Sequence, residues 1–463
     1  MKKFFFSVWG ISVLFLVLRI LPYFNNSVPL GYDAGIYLYL FNIFPKLPIW
    51  QMVGFSPGLF VFVYPFAKLF NSESFLIPVS ILSQIVLFFS VYLIPKKLTG
   101  EKIALLTSFL FTVSLIQFRT FWFFYVKNTF ALALLLPALY FLSKKKVLPS
   151  IIFAVILSYF HLPTFLIYLV TIIALSFFDY KNLKFYLKVF VGTMAIFSIY
   201  YLSTFNQTIL PLLIPVLQSI APYKLIATGS LGSGRGTFYS LPTSFLMTIF
   251  YLPFAFYGIY VVRKEQNIKP FLIALVVLLF IVLTGFFFSL RYFIPLDLFL
   301  ILFAGIGLSF AIEKYKKQQD VFAFYFAVLA LFIFAFILKT GQPLITSSVL
   351  GEIKDFKGIK NGYLLSTSKE DNAWLLGYTS LKLIAWDFGG EDKYWKQNEW
   401  QDFFGNIPVE KKLSLLDKLP KPLYIFINAK QLPYSKDIVT IPCIKKLSGH
   451  FYQYDCKRNN PRK

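Results

Sequence analysis

Residues 292–312 read YFIPLDLFLILFAGIGLSFAI, a run of apolar side chains that contains one ionisable residue, Asp297. A run of about 20 apolar residues is long enough to cross the hydrocarbon core of a bilayer as a helix. The stretch therefore predicts a transmembrane helix.

Ten more apolar runs lie on either side of this one. Hydrophobic residues make up 57% of the chain and charged residues only 14%, a balance too apolar for an ordinary water-soluble domain. We therefore predict an α-helical polytopic membrane protein with about eleven transmembrane helices. The other runs lie at residues 4–21, 75–95, 103–118, 121–142, 147–160, 162–178, 189–203, 241–262, 271–289 and 321–338.

The basic residues predict how these helices are oriented. The formal charge of +24 does not indicate a nucleic-acid partner, because Lys and Arg occur in short clusters between the apolar runs. If the N-terminus is inside, it and the cytoplasmic links carry seventeen basic residues, whereas the opposite loops carry seven. Cytoplasmic loops are enriched in Lys and Arg. We therefore predict a multi-pass protein of the plasma membrane with a cytoplasmic N-terminus, and an odd number of spans then places residues 339–463 outside.

Two long loops are predicted on the outer side of the membrane. Residues 22–74 form the first and residues 204–240 the second, within a transmembrane domain that covers residues 1–338. Two apolar stretches of the first loop, 35–44 and 57–70, are interpreted as interfacial helices that lie along the membrane surface. A full span at 57–70 would reverse every later loop and place the lysine clusters outside.

The tail, residues 339–463, has the scattered charges of a water-soluble chain and is predicted to be a small extracytoplasmic α/β domain. Apolar and β-branched stretches predict strands at 362–366, 381–386 and 422–428. The pattern at 409–419 indicates a helix.

Both cysteines of the chain, Cys443 and Cys456, lie in the tail, symmetrically about the Gly-His pair at 449–450. A two-residue hairpin there pairs Ser448 with Phe451. Counting outwards, the two cysteines are directly opposed with Cα atoms about 4.5 Å apart, which allows a disulfide. A disulfide indicates an oxidising compartment and agrees with an outer tail. Two unrelated buried thiols are the alternative, and the spacing does not match a zinc site.

Only three of the 21 acidic residues lie outside the tail and the cytoplasmic links: Asp33, Glu73 and Asp297. Asp33 follows the first helix, where a carboxylate faces both water and lipid, as an enzyme acting on a lipid-linked substrate requires. Tyr37, Tyr39 and Glu73 are candidate substrate contacts near it, while a helix cap is the alternative role of Asp33. Asp297 lies about 9 Å into its span. An internal hydrogen bond or ion pair is expected there, with a catalytic assist as the alternative.

The stretch GYDAGIYLYL at residues 31–40 resembles the acidic motif that follows the first helix in the GT-C superfamily of membrane glycosyltransferases. FSPGLFVFVYPFAKLF at 55–70 is similar to the proline-containing segment of those enzymes. YFHLPTFLIYL at 159–169 and SLRYFIPLDLFLILFAGIGL at 289–308 look like later helices of the group. The resemblance covers roughly residues 4–338.

The resemblance implies a hexosyl- or pentosyltransferase, similar to the mannosyl- and arabinosyltransferases of that group. Such an enzyme transfers a sugar from a polyprenyl-phosphate-linked donor to an acceptor on the extracytoplasmic face. It also implies that Asp33 is the general base of an inverting, single-displacement step. Many members carry an acidic pair, whereas Ala34 and Gly35 follow Asp33 here. A divalent cation, Mg²⁺ or Mn²⁺, therefore stays an open question.

The leaving phosphate of such a donor needs cations at the outer face of the membrane. Arg291, where two spans meet, is the first choice because a guanidinium binds phosphate oxygens in a fork. Arg119 and Lys127 flank the turn between the third and fourth spans and are further choices, with snorkelling to the interface as the alternative. Arg235, in the glycine-rich part of the second outer loop, either closes over the substrate or is simply solvated. His161 either hydrogen-bonds sugar or phosphate or caps a helix at a turn.

Three other readings stay open. IAWDFGG at 384–390 is similar to the WWDYG motif of oligosaccharyltransferase catalytic subunits, which are also GT-C proteins with an outer C-terminal domain. A transporter or a flippase of lipid-linked glycans would instead bind at the midplane through broken helices and internal repeats, and no paired repeat is visible. The third possibility is a noncatalytic scaffold whose tail binds a partner. The sequence leaves the acceptor open among protein, lipid and glycan.

Overall fold

The structure is a computed structural model and divides into two units. It describes residues 7–24, 26–46, 57–202, 205, 238–286, 289–367, 369–385, 393–405, 407–428 and 436–456. The first unit comprises the described parts of Met1–Asn25, Phe44–Ala227 and Gly232–Gln342. The second comprises Asn26–Ile43 together with the described part of Pro343–Lys463.

The chain is mostly helical up to residue 340. We number the helices along the chain, and all of them belong to the first unit except α2. They are α1 (Val8–Ile20), α2 (Asp33–Ile43), α3 (Gly58–Leu69), α4 (Leu76–Thr99), α5 (Glu101–Val113), α6 (Leu115–Trp122), α7 (Val126–Ser143), α8 (Val147–Phe160), α9 (Leu162–Phe178), α10 (Leu183–Tyr201), α11 (Leu241–Thr248), α12 (Leu252–Val262), α13 (Lys269–Thr284), α14 (Phe293–Lys314) and α15 (Gln319–Thr340).

Each of the eleven predicted apolar runs coincides with a helix or a bent pair of helices. Within the described residues, five helices are long and apolar enough to cross a membrane, and seven spans result if each of two bent pairs counts as one. Five more apolar helices are shorter, among them α8 and α9. The prediction of an α-helical membrane protein is thus supported, while the number of eleven spans stays a prediction.

Helix α14 is the centre of the first unit. Almost all of its residues from Phe293 to Ser309 are buried, although the helix is apolar on every side. Glycines allow its neighbours to approach closely: a Cβ atom on Gly258 of α12 would lie 2.0 Å from the carbonyl oxygen of Phe303, and one on Gly305 would lie 2.2 Å from Thr107 Oγ1 of α5. An apolar helix that is buried all round is typical of the core of a helical bundle.

The lysine-rich links meet at one end of the helices of the first unit. They carry the basic residues from which the cytoplasmic side was predicted, and which side faces the cytoplasm stays a prediction. The contacts that join these links are Lys102 Nζ to Glu313 Oε1 at 2.9 Å, Lys145 Nζ to Asn182 Oδ1 at 2.8 Å and Lys269 Nζ to the carbonyl oxygen of Phe178 at 2.9 Å.

The second unit is a five-stranded sheet with helices, as the sequence predicts for the tail. The sheet order is β2-β1-β3-β5-β4, with parallel pairs up to β3 and antiparallel pairs beyond it. The predicted strands and the predicted helix at 409–419 are all present, whereas four helices were not foreseen: α16, α17, α18 and the short α20. The elements are α16 (Ser347–Asp355), β1 (Tyr363–Ser366), α17 (Lys369–Tyr378), β2 (Lys382–Ile384), α18 (Gln397–Phe404), α19 (Val409–Asp417), β3 (Leu423–Phe426), α20 (Lys436–Val439), β4 (Ile444–Ser448) and β5 (Phe451–Tyr454).

Helix α2 belongs to the second unit, and its interpretation as a helix lying along the membrane surface stays a prediction. Its apolar residues Ala34, Tyr37, Leu38 and Phe41 are buried in the protein. The helix packs on α17 through glycine, because the backbone of α17 at Ala373 and Trp374 leaves no room for a larger residue at Gly35. Apolar patterning showed that α2 needs an apolar partner, and that partner is another helix of the chain.

The contact between α2 and α17 gives a stability prediction. A Cβ atom on Gly35 would lie 2.1 Å from the carbonyl oxygen of Ala373, so Gly35→Ala forces the two helices apart. We expect a loss of about 1–3 kcal/mol in the free energy of unfolding of the second unit. Gly351→Ala is the matched control, because nothing lies within 4 Å of its added Cβ in α16 and alanine favours a helix. Thermal melting of both variants in detergent measures the difference, and equal melting temperatures would contradict this packing.

Cys443 and Cys456 form a disulfide with Cα atoms 4.8 Å apart. The predicted hairpin is present, and Ser448 pairs with Phe451. The predicted register further out is wrong, because a bulge between Lys446 and Ser448 shifts the pairing by one residue. The backbone N–H of Asp455 consequently donates to the carbonyl oxygen of Cys443, and Cys456 lies one residue beyond the position opposite it.

Candidate functional site

A cleft in the first unit brings together two residues that the sequence singled out, Arg291 and His161. It is narrow, with a volume of about 10 Å³ open to a water-sized sphere, and lies at the helix ends away from the lysine-rich links. Arg291 lies two residues before α14, and His161 is the single residue between α8 and α9. The cleft is lined by Asn128, His161, Pro163, Thr164, Arg291, Tyr292 and Pro295.

His161 combines a structural role with a position in the cleft. It is the N-cap of α9, and its Nδ1 accepts a hydrogen bond from the backbone N–H of Thr164 at 3.3 Å. Burial, Arg291 and Lys127, in this order, hold the pKa of His161 well below its ordinary value, so the ring is neutral. A neutral ring whose Nδ1 is an acceptor carries its proton on Nε2. The ring therefore keeps one N–H donor besides its capping bond.

The capping role of His161 gives a second stability prediction. His161→Ala removes the acceptor for the Thr164 N–H, and we expect a loss of about 1 kcal/mol in the free energy of unfolding. His161→Asn supplies a good N-cap acceptor and should restore most of that stability. Thermal melting of the two variants beside the wild type tests this. A melting temperature of His161→Asn as low as that of His161→Ala would contradict the capping role.

Lys127 adds a second positive group, beside Arg291, to this end of the bundle. It lies in the first turn of α7, half-buried, with its ammonium 4.4 Å from the centre of the Phe60 ring. Its charge acts on His161, as the lowered pKa of the imidazole indicates. Arg291 and His161 thus line one cleft, and Lys127 is near enough for its charge to lower the pKa of the His161 ring.

A stack of aromatic rings connects Arg291 with Arg119. The Arg291 guanidinium lies 4.6 Å from the centre of the Tyr125 ring. Tyr125 stacks on Phe123 at 5.5 Å, and Phe123 lies 5.8 Å from Tyr239. The Arg119 guanidinium lies 5.7 Å from the Tyr239 ring. Cations over aromatic faces are attracted by the ring quadrupole, so the stack supports both guanidinium groups.

Arg119 is more enclosed than the prediction of an interfacial arginine suggested. It lies in the last turn of α6 and is buried, with its guanidinium 4.6 Å from Trp122 and 4.7 Å from Phe336. Snorkelling to the interface therefore does not describe it. A buried guanidinium among aromatic rings is desolvated, which strengthens its attraction for an anion that reaches it.

Asp33 lies in the second unit and is the first residue of α2. It is half-buried, and its role as a cap or as a catalytic group stays a prediction. The N-terminal end of a helix carries partial positive charge and favours an ionised carboxylate in its first turn. The loop before α2 is held by a hydrogen bond from the Leu344 N–H to the carbonyl oxygen of Leu30, at 2.9 Å.

The other predicted contacts are more scattered. Tyr37 is buried and packs on Phe41 at a ring distance of 6.2 Å, which favours a packing role. Tyr39 is half-buried in α2, and Glu73 is half-buried in the turn before α4. Arg235 lies outside the described residues, and so does the part of the IAWDFGG motif from Trp386 onwards.

The described residues do not form a metal centre. Among them, no three His, Cys, Asp or Glu side chains are placed to hold a metal ion. This agrees with the residues that follow Asp33, where Ala34 and Gly35 offer no side-chain ligand. We therefore derive no step through Mg²⁺ or Mn²⁺.

Sequence reasoning missed three residues of this site: Tyr125, Tyr239 and Asn128. Asn128 is buried and lines the cleft, and the two tyrosines belong to the aromatic stack. Each lies within a few residues of the end of an apolar run, where aromatic residues are common in membrane proteins. That background concealed the signal, because 20% of the chain is aromatic.

The fold is similar to solved structures from Archaeoglobus fulgidus. The archaeal oligosaccharyltransferase AglB in complex with an inhibitory peptide and a dolichol-phosphate matches over 99% of this chain and 75% of its own, with a TM-score of 0.60 and 13% identity. The chain has the fold of an archaeal oligosaccharyltransferase. At this identity the likeness concerns the fold alone.

Two more structures of the Archaeoglobus fulgidus oligosaccharyltransferase match in the same way. One is tethered to an acceptor peptide with the NVT sequon and matches over 98% of this chain and 75% of its own, with a TM-score of 0.60 and 13% identity. The other is a complex with Zn and sulfate and matches over 96% and 72%, with a TM-score of 0.61 and 14% identity. No protein-family model matches the chain, and neither does any curated protein sequence.

Proposed function

We propose that this protein is a membrane glycosyltransferase that moves a sugar from a polyprenyl-phosphate-linked donor to an acceptor on the extracytoplasmic face. The observation that carries the proposal is the cleft lined by Arg291 and His161, with the charge of Lys127 acting on the imidazole, in a chain with an oligosaccharyltransferase fold. A protein of that fold is described with a bound dolichol-phosphate. The cations of the cleft suit such an anionic lipid head.

The first unit binds the phosphate of the donor. The Arg291 guanidinium presents a planar fork of donors to phosphate oxygens. The Nε2–H of neutral His161 donates a further hydrogen bond, and Lys127 adds positive charge beside it. Because the negative charge on the phosphate grows as the lipid phosphate leaves, these donors stabilise the transition state more than the ground state.

Asp33 of the second unit is the general base. The acceptor atom forms a bond to the anomeric carbon, the bond from that carbon to the phosphate oxygen breaks, and the acceptor proton passes to the carboxylate. Attack on the face opposite the leaving phosphate inverts the anomeric configuration. The partial positive charge at the start of a helix favours the ionised form of a carboxylate in its first turn, which is the form that accepts a proton.

A peptide is the acceptor that one specific observation favours. A structure of the same fold holds an acceptor peptide with an NVT sequon, and this chain carries a folded second unit after its helices. The enzyme would then act as an oligosaccharyltransferase does. A lipid or glycan acceptor remains the alternative within the same reaction class.

A carrier of lipid-linked glycans is the alternative from another class of protein. Two bent helix pairs are present here, and broken helices are also a feature of carriers. Broken helices of carriers line a binding cavity with free polar groups. Here the breaks are closed by hydrogen bonds among buried side chains, Ser114, Tyr251 and Asp297. This favours the enzyme.

Reconstitution in liposomes separates the two classes. The purified protein is given a polyprenyl-phosphate-linked sugar carrying a label on the sugar, together with a panel of peptide, lipid and glycan acceptors. The proposal expects the label to become covalently attached to one acceptor class. Movement of the intact labelled donor to the other leaflet without any transfer would identify a carrier instead.

A further inference from the structure

The carboxylate of Asp297 contacts three side chains from the two bent helix pairs, α5–α6 and α11–α12. Asp297 Oδ2 accepts from Ser114 Oγ at 3.0 Å and from Gln117 Nε2 at 2.8 Å. Its Oδ1 accepts from the hydroxyl of Tyr251. Asp297 is fully buried, and its partners are buried with it. A buried carboxylate is tolerated only when its oxygens are hydrogen-bonded, so Asp297 requires these contacts to remain buried.

Two of these partners stand at the breaks of the two bent helix pairs. Ser114 is the one residue between α5 and α6, which are bent by 53°. Tyr251 directly precedes α12 at the break between α11 and α12, which are bent by 76°. Ser114 also accepts from the Gln117 N–H at 3.2 Å and so caps α6. A single carboxylate therefore ties both breaks to α14.

Helices α5 and α12 are the inner halves of the bent pairs, and their contacts with α14 do not involve this carboxylate. Helix α12 lies against α14 at Gly258 and Gly307, and α5 lies against it at Gly305. Those contacts hold α5 and α12 against α14 independently of the breaks. Asp297 instead contacts the chain at the two breaks, where α6 and α11 leave them.

Helices α6 and α11 are the outer halves of the bent pairs, and they carry parts of the candidate site. Arg119 is in the last turn of α6, and Tyr239 lies two residues before α11. Their contact of 5.7 Å closes the aromatic stack that leads to Arg291. A change in the direction of either outer half would therefore displace Arg119 from Tyr239.

We propose that Asp297 is a positioning residue that locks the outer halves of the two broken helices and thereby holds Arg119 against Tyr239. The lock itself is a property of the first unit. Its effect on the donor rests on the proposed function, because only a phosphate-bearing substrate makes the direction of Arg119 matter.

Three variants separate this lock from ordinary packing. Asp297→Leu removes all three hydrogen bonds, and Tyr251→Phe removes only the one that reaches the break before α12. Ile301→Ala is the control, because Ile301 is buried on the same helix one turn further from the breaks. All three are studied in the full-length protein.

Hydrogen exchange followed by mass spectrometry measures the lock without any substrate. Asp297→Leu should raise amide exchange in residues 115–122 and 241–248, and Tyr251→Phe should raise it in 241–248 alone. Ile301→Ala should leave both segments as in the wild type. Unchanged exchange in both segments for Asp297→Leu, or for Tyr251→Phe if the leucine variant does not fold, overturns the proposal.

Donor kinetics test whether the lock acts through Arg119. We expect Asp297→Leu to raise the KM for the lipid-linked donor about 10-fold, as Arg119→Met does, with a smaller effect on kcat. In the double variant the KM should be no higher than in Arg119→Met alone. Multiplied effects would show independent actions and overturn this part. Loosened outer halves in a protein whose wild type transfers no sugar would support the lock and reject the proposed function.

Discussion

Asp33→Asn is expected to lower the turnover of sugar transfer about 100-fold or more while the KM for the lipid-linked donor changes little. A positioned general base contributes roughly 10²–10⁴ to a rate, and asparagine has nearly the same shape but cannot accept the proton. The KM is spared because the donor phosphate is assigned to cations of the first unit. Initial rates at saturating donor and acceptor measure the effect.

The control for this substitution comes from the same unit of the structure. Asp355→Asn makes the same chemical change at an exposed carboxylate at the end of α16. We expect its turnover to stay within about 2-fold of the wild type, as for most surface substitutions. If Asp33→Asn retains the turnover of Asp355→Asn and both are folded, Asp33 is not the base.

Arg291→Met is expected to lower kcat/KM for the donor by about 10²–10³, the effect of removing one oxyanion donor from an enclosed site. Arg291→Lys should recover part of this loss, because lysine keeps the charge but not the planar fork. The difference between the two variants therefore separates charge from geometry. Kinetics across a range of donor concentrations at fixed acceptor measure both.

Arg263 offers a matched control for Arg291. Its guanidinium also lies over an aromatic ring, at 4.1 Å from the centre of Tyr260, but it follows α12 in a lysine-rich link at the other end of the bundle. Arg263→Met should therefore keep kcat/KM within about 2-fold of the wild type. Equal losses in Arg291→Met and Arg263→Met would indicate a general effect on the membrane domain and contradict a phosphate site at Arg291.

The helices and strands follow from local patterns, and these were predictable. The apolar runs are helices because each peptide group in a bilayer must be hydrogen-bonded within its own segment. The strand at 422–428 has a local signal in its apolar, β-branched residues. The hairpin has one in Gly449, which adopts a positive φ of 39°. The shift in the cysteine register was not predictable, because a bulge depends on the partner strand.

The breaks in the helices could not be predicted for a different reason. Ser114 and Asp297 are 183 residues apart in the chain, and only the packing of α5 against α14 brings them together. Ser114 alone is an ordinary residue in an apolar run. The partner of α2 was hidden in the same way, since apolar residues show that a face is buried but not whether lipid or another helix covers it.

The candidate site was partly visible in the sequence. Cations and a histidine stand out in an apolar chain, so Arg291, Lys127 and His161 were found by their scarcity. Tyr125 and Tyr239 were not, since aromatic residues are abundant near the ends of membrane helices. The chemistry of the site was thus more predictable than its supporting structure.

The most direct test of the account measures the release of polyprenyl phosphate from a lipid-linked sugar by the purified wild-type protein, with and without an acceptor. We expect the release of polyprenyl phosphate to depend on the acceptor. One labelled sugar should be attached for each lipid phosphate set free, with inverted anomeric configuration. A folded protein that releases no lipid phosphate from any donor of a broad panel, or releases it with retained configuration, would contradict the account.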